Sequence, residues 1–241
     1  KFQISNPVKI KIVVVRLQYI SNFTDFDPFA CEPDVELVYS SNPADIENAD
    51  IVIIPGSKNT IKDFMLLKET FLDKSIKRAY SKGVQIIGMC GGYQMLGRKI
   101  YDPHSVESNH KEIKGIGLLS IETNFGKDKT TCQVEAELNG EWGNGLIGGP
   151  YKKLKGYEIH MGESSGDIGL FRIKRLSRSD WLLDGSGNGN CWGTYLHGIF
   201  ENDHFRREVI NSARRKRGLS PVACTVRYAE IKDKAIDSLA N

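Results

Sequence analysis

Four short runs of β-branched and aliphatic residues limit how this chain can fold: residues 10–17 (IKIVVVRL), 35–39 (VELVY), 51–54 (IVII) and 84–89 (VQIIGM). Most of these runs are nearly continuous rather than alternating, the pattern of strands buried on both faces in a parallel sheet. Between the last two, Phe64, Leu67, Phe71, Ile76 and Ala79 recur at three-to-five spacing. That spacing predicts one helix over residues 60–82, closed by Gly83. Residues 45–50 predict a short helical connection, and residues 93–96 open a further helix. Strand and helix in alternation give an α/β chain, a parallel sheet wrapped by helices.

The second half has a different grain. Residues 115–184 read as short strands and glycine-rich turns, a β-rich extension of the same domain. Residues 190–197 (NCWGTYLH) predict one late strand ending in His197, residues 205–217 a basic helix, and residues 225–239 a last helix.

Composition narrows the classes. The 241 residues carry 33 Lys+Arg against 30 Asp+Glu. A net charge of +3 gives no argument for a nucleic-acid or membrane partner. No apolar run approaches the roughly 20 residues that a spanning helix needs. The five cysteines, Cys31, Cys90, Cys132, Cys191 and Cys224, are scattered and form no C-x-x-C pair. They predict neither a disulfide framework nor a metal site, and point to the reducing cytoplasm.

Cys90 stands apart. In Gly88-Met89-Cys90-Gly91-Gly92 it lies where a buried strand gives way to a helix. Flanking glycines permit a sharp turn that pushes the middle side chain outward. The helix N-terminus aims N–H groups and a positive dipole at the sulfur, which favours thiolate. The Gly91 N–H is also placed to stabilise an oxyanion. A structural cysteine beside a glycine turn, or a phosphate-binding turn, fits the same five residues. A thiolate nucleophile needs a base. His197, at the end of a predicted strand on the same sheet edge, is the first candidate and His160 the second. His104 and His110 sit in a polar loop, and His204 has no such placement. The turn Pro55-Gly56-Ser57-Lys58-Asn59-Thr60 ends another strand at that edge and offers a second oxyanion N–H, from Gly56 or Ser57. The basic run Arg214-Arg215-Lys216-Arg217 reads as a solvated helix end.

Taken in order, these segments resemble a known family. Gly88 through Gly97 is similar to the nucleophile elbow of class I (triad-type) glutamine amidotransferases. Residues 21–27 (SNFTDFD), 55–60 (PGSKNT), 156–162 (GYEIHMG) and 193–198 (GTYLHG) resemble the amidotransferase domain of cobyric acid synthases. The resemblance implies a flavodoxin-like, mixed-edge parallel sheet. It implies glutamine as substrate, attacked by Cys90 with His197 as acid–base, with Tyr93 and Gln94 holding the substrate and Glu158 and His160 lining the pocket or facing a partner domain. It also implies an N-terminal ATP- and Mg²⁺-dependent synthetase domain, which uses the ammonia to amidate peripheral carboxylates of adenosylcobyrinic acid a,c-diamide in cobalamin biosynthesis. No G-x-x-x-x-G-K-[ST] loop occurs here, so residues 1–9 are expected to be the connection to that domain and residues 10–241 the amidotransferase domain, with no cofactor of its own.

The match departs from the family pattern twice. The position two residues after His197 is Ile199 where many relatives have Glu, leaving Glu201 and Asp25 as candidates for a third acid, or a Cys–His dyad. Gln18-Tyr19 stands where Pro-Arg is expected ahead of the ISNFT segment. The competing readings are a non-catalytic amidotransferase-like binding domain and a peptidase or thioesterase on the same elbow.

Overall fold

The computed structural model describes residues 8–140, 151, 153–176 and 180–240. Residues 1–7, most of the expected N-terminal connection, lie outside the described residues.

The chain opens with strand β1 (Ile10–Val15), a short β2 (Ile20–Ser21), a 3-10 turn (Phe23–Phe26) and helix α1 (Asp27–Ala30). Then come β3 (Val35–Ser40), α2 (Pro43–Glu47), β4 (Ile51–Ile54), β5 (Gly56–Ser57), α3 (Thr60–Glu69), α4 (Leu72–Ser81), β6 (Gln85–Met89) and α5 (Gly91–Leu96). A run of strands follows: β7 (Lys99–Tyr101), β8 (Glu112–Lys114), β9 (Ile121–Leu138), β10 (Leu154–Gly166), β11 (Phe171–Arg175), β12 (Trp181–Asp184) and β13 (Ser186–Asn188). Last come β14 (Cys191–Thr194), β15 (Leu196–His197), a 3-10 turn (Ile199–Glu201), α6 (Asp203–Lys216) and α7 (Tyr228–Ala240).

The main sheet has the order β13-β14-β6-β4-β1-β3. Four of its five pairings are parallel, and the β13 edge runs antiparallel to β14. This is the expected α/β architecture with a mixed edge. The order of the parallel strands is that of doubly wound, flavodoxin-like sheets. The near-continuous apolar runs are explained by burial of both faces. Ile10, Ile12 and Val14 of β1 enter one core with Phe171, Trp192, Phe200 and Phe205, whereas Val13 and Val15 enter the other with Phe64, Ile76 and Tyr93. Alternate residues of a strand point to opposite faces, so one strand feeds both cores.

The β-rich extension is a second sheet, ordered β12-β11-β9-β10-β15, with β7 paired to β9 and β8 to β7. Two expectations about elements need correction. The single helix over residues 60–82 is two helices, broken at Phe71, whose φ of 58° lies in the left-handed region. No Gly or Pro marks the break; Phe71 takes the strain and stays exposed. The late strand over residues 190–197 is also two. β14 ends at Thr194 in the main sheet, and after Tyr195 alone the chain enters the second sheet as β15, pairing Tyr157 with His197 and Glu158 with Leu196. Thr194 directs this crossing: its hydroxyl donates to the buried Asp184 carboxylate and accepts from Leu196 N–H (3.1 Å), while Asp184 accepts from Tyr195 N–H (3.3 Å).

Candidate active site

Cys90 sits between β6 and α5 with φ 50° and ψ −109°, a combination that L-residues avoid and that tightly packed surroundings must impose. Those surroundings are backbone. A side chain on Gly92 would begin 2.0 Å from Ile54 O, and one on Gly88 would begin 2.8 Å from Gly92 O. The glycines are therefore required by the close passage of β4 and α5, and the strained cysteine between them is aimed out of the sheet edge. Its Sγ lies 3.6 Å from Ile159 O, on the wall that β10 provides.

His197 arrives from the second sheet, close enough for its ring to interact electrostatically with Cys90. Its Nδ1–H donates to Asp25 Oδ2 at 2.6 Å, and Asp25 Oδ1 accepts from Gly198 N–H at 3.0 Å. Asp25 and His197 are both almost fully buried. Burial works against the charged ring, yet the Asp25 hydrogen bond and the neighbouring Cys90 sulfur carry the His197 pKa up to about 10. The Tyr157 ring stacks on His197, with centroids 5.3 Å apart, and Asn22 Nδ2 donates to its hydroxyl (3.2 Å). Of the two acids left open by the sequence, Asp25 meets the histidine. Glu201 is exposed and pairs with Lys232 at 3.3 Å.

Gly56 and Ser57 lie in β5, paired with β2. Lys58 N–H donates to Tyr19 O (2.8 Å). Bonds of an antiparallel ladder pass through alternate residues, so the Ser57 N–H is turned away from β2. It faces the elbow: a side chain on Gly91 would begin 3.2 Å from Ser57 N and 2.9 Å from Thr60 Oγ1. Asp63 fixes this loop by accepting from Gln18 N–H, Tyr19 N–H and Ser57 Oγ. Gly56 packs behind, where a side chain would begin 2.8 Å from Ser21 Oγ and 3.4 Å from His197 Cε1.

Cys90 opens into a cavity of about 410 Å³ whose walls include Ser57, Gln94, Glu107, Lys129 and His160. Gln94 is held by bonds from Nε2 to Met161 O (3.0 Å) and to Tyr195 Oη (3.1 Å). His160 stacks on Tyr195, with Nδ1 3.0 Å from Gly162 O and Nε2 3.3 Å from Glu158 Oε1. Glu158 stands behind it in a salt bridge to Arg175 (2.7 Å); burial opposes its charge, but His160 and Arg175 hold its pKa below the usual range. Tyr93 does not reach the cavity. It is fully buried against Gly193 and edge-on to Tyr195, and its hydroxyl has no hydrogen-bond partner among the described residues. Residue reasoning missed Asp63, Tyr157 and Glu107, which lie on a helix turn, a strand and a polar loop without chemical signature. A larger cavity of about 780 Å³, lined by Lys82, Gln85, Asn190 and Lys216, lies at the opposite edge of the main sheet.

Solved structures share this fold. The structure of PurLQS from Thermotoga maritima matches with a TM-score of 0.57 at 16% identity, over 86% of this chain and 96% of that one. A glutamine amidotransferase crystal structure matches with a TM-score of 0.54 at 15% identity, over 83% and 98%. The architecture is that of the class I glutamine amidotransferases. Within that class the chain belongs to the CobB/CobQ-like glutamine amidotransferase domain family, whose model matches residues 11–205. Among its relatives, the cobyric acid synthase of Thermodesulfovibrio yellowstonii is 50% identical over 232 residues, 96% of this chain and 45% of that protein. The cobyric acid synthase of Salmonella heidelberg is 42% identical over 243 residues, 100% of this chain and 48% of that protein. The chain thus spans about half the length of these relatives.

Proposed function

We propose that this chain is the glutaminase portion of a cobyric acid synthase. Cys90 thiolate attacks the side-chain amide carbon of glutamine. The Gly91 and Ser57 N–H groups receive the oxyanion of the tetrahedral intermediate. His197, protonated and held by Asp25, gives its proton to the departing ammonia, leaving a γ-glutamyl thioester. The neutral ring then takes a proton from water as it attacks the thioester, and glutamate leaves with the thiol restored. The ammonia passes to the ATP-dependent portion of the enzyme for amidation of corrinoid carboxylates. The free cysteines suit a reducing, cytoplasmic setting. Among the described residues, no helix is long and apolar enough to cross a membrane.

The observation that carries the reading is Cys90 interacting with a His197 ring that Asp25 holds at 2.6 Å, at the mouth of a cavity of single-amino-acid size. The test is intact-mass analysis after exposure to 6-diazo-5-oxo-L-norleucine, a glutamine-mimicking diazoketone, with peptide mapping. One adduct on Cys90 that glutamine prevents is expected. A thiol that reacts with iodoacetamide but never with the diazoketone would end the glutaminase reading.

A further inference from the structure

The walls of the Cys90 cavity are unevenly charged. Lys58, Lys129 and His160 bring cationic or basic groups, and among the described residues Glu107 brings the one carboxylate. Glu107 is carried by the loop between β7 and β8, which Asp102 ties down by accepting from Val106 N–H, Glu107 N–H and Ser108 N–H at 2.6–2.9 Å. The Glu107 side chain reaches the start of α3, where Oε2 accepts from Ile61 N–H at 3.0 Å. It is thus held in one place by both its main chain and its side chain.

Its charge is not balanced from within. Burial pushes its pKa up, the Ile61 and Thr60 N–H groups oppose, and the carboxylates of Asp102 and Asp63 raise it further, to about 7. Among the described residues it makes no salt bridge. An anion that faces a cavity, is partly desolvated and lacks a cation gains most from an ammonium group brought by a ligand. A backbone cap for α3 would need only the Ile61 bond, which a neutral amide side chain makes equally well.

We propose that Glu107 binds the α-ammonium of the amino-acid substrate while Cys90 attacks its side-chain amide. The inference rests on the glutaminase reading and says which end of glutamine the enzyme recognises. Selectivity then comes from the α-amino group: an amide of the same length without that group is attacked by the same thiolate but bound less well.

Glu107→Gln keeps the cap acceptor and removes the charge. The experiment measures second-order inactivation rates of the full chain, wild type and variant, with 6-diazo-5-oxo-L-norleucine, with its des-amino analogue 6-diazo-5-oxohexanoate, and with iodoacetamide. For the variant, the amino probe is expected to slow by about tenfold to a hundredfold, the range for a hydrogen bond to a charged group. The other two rates stay within about twofold of wild type, because neither reagent carries an ammonium. Equal slowing with both diazoketones would make Glu107 a structural cap, and no slowing with either would remove it from the pocket; each overturns the inference while leaving Cys90 as the nucleophile. A wild-type enzyme that iodoacetamide labels and neither diazoketone does would overturn the glutaminase reading itself, and this inference with it.

Discussion

Two oxygens of one carboxylate divide the work at His197: Oδ2 takes the ring N–H and Oδ1 takes the N–H of the next residue, Gly198. Ring tilt and tautomer are thereby fixed together. Asp25→Asn should lower glutaminase kcat by about 10²–10⁴-fold with little change in KM, whereas Glu201→Gln should leave both unchanged; a wild-type kcat in the Asn variant would remove Asp25 from the mechanism. The raised His197 pKa also has a stability sign. The folded ring keeps its proton to about pH 10, and the unfolded ring loses it near 6.5. Its contribution is full below that lower value and gone above the upper one. The denaturation midpoint of the wild type should therefore fall toward that of His197→Gln between about pH 7 and 10. Curves that stay parallel across this window would mean the ring is not protonated at rest. Cys90 was legible because its signal is local: glycines on either side at a strand end. Asp25 was only half legible because its partner lies 172 positions away, and no spacing rule spans that distance. Tyr93 was misread for the opposite reason. It sits next to the elbow in sequence, but the turn of α5 directs it into the core.

At the scale of elements, the breaks the sequence did not announce are the instructive ones. α3 and α4 meet at Phe71, which bears a positive φ with its ring exposed and Lys74 Nζ 4.4 Å from the ring centroid. Phe71→Asn should raise unfolding free energy by about 0.5–1 kcal/mol, since Asn tolerates the left-handed region and little burial is lost. Urea titration reads this directly, and a lower midpoint would show that the ring contact outweighs the strain. Strands β1, β4 and β6 of the main sheet, by contrast, were read to within two residues, because burial on two faces leaves a nearly unbroken apolar signature. The β14–β15 break was hidden for the same reason: both pieces are buried, so hydrophobicity runs on while the chain changes sheets.

Across the whole molecule, the basic helix α6 is tied down by charge as well as by apolar packing. Arg206 is fully buried, with Nε donating to Glu32 Oε1 (2.8 Å). Arg207 pairs with Glu32 and Asp34, and Arg214 reaches Asp34 at 3.0 Å. This cluster joins the C-terminal third of the chain to the α1–β3 connection. Part of the run read as a solvated helix end therefore reaches inward: Arg214 pairs with Asp34, while Arg215 and Arg217 make surface pairs with Glu208 and Asp50. Removing one partner from a buried ion cluster strands the others. Glu32→Ala should lose about 3–5 kcal/mol of stability in denaturant unfolding; a loss under about 1 kcal/mol would mean that water already serves Arg206.

The crossing at Tyr195 bears on how the protein is made. Asp25 and Cys90 leave the ribosome before His197, which comes after every other described strand of both sheets. On the proposed mechanism the thiol lacks its base until β15 pairs with β10, so a half-folded chain does not turn over glutamine. A strand made after Asp25 and Cys90 completes their site, so on the proposed mechanism competence arrives in one step with completion of the second sheet.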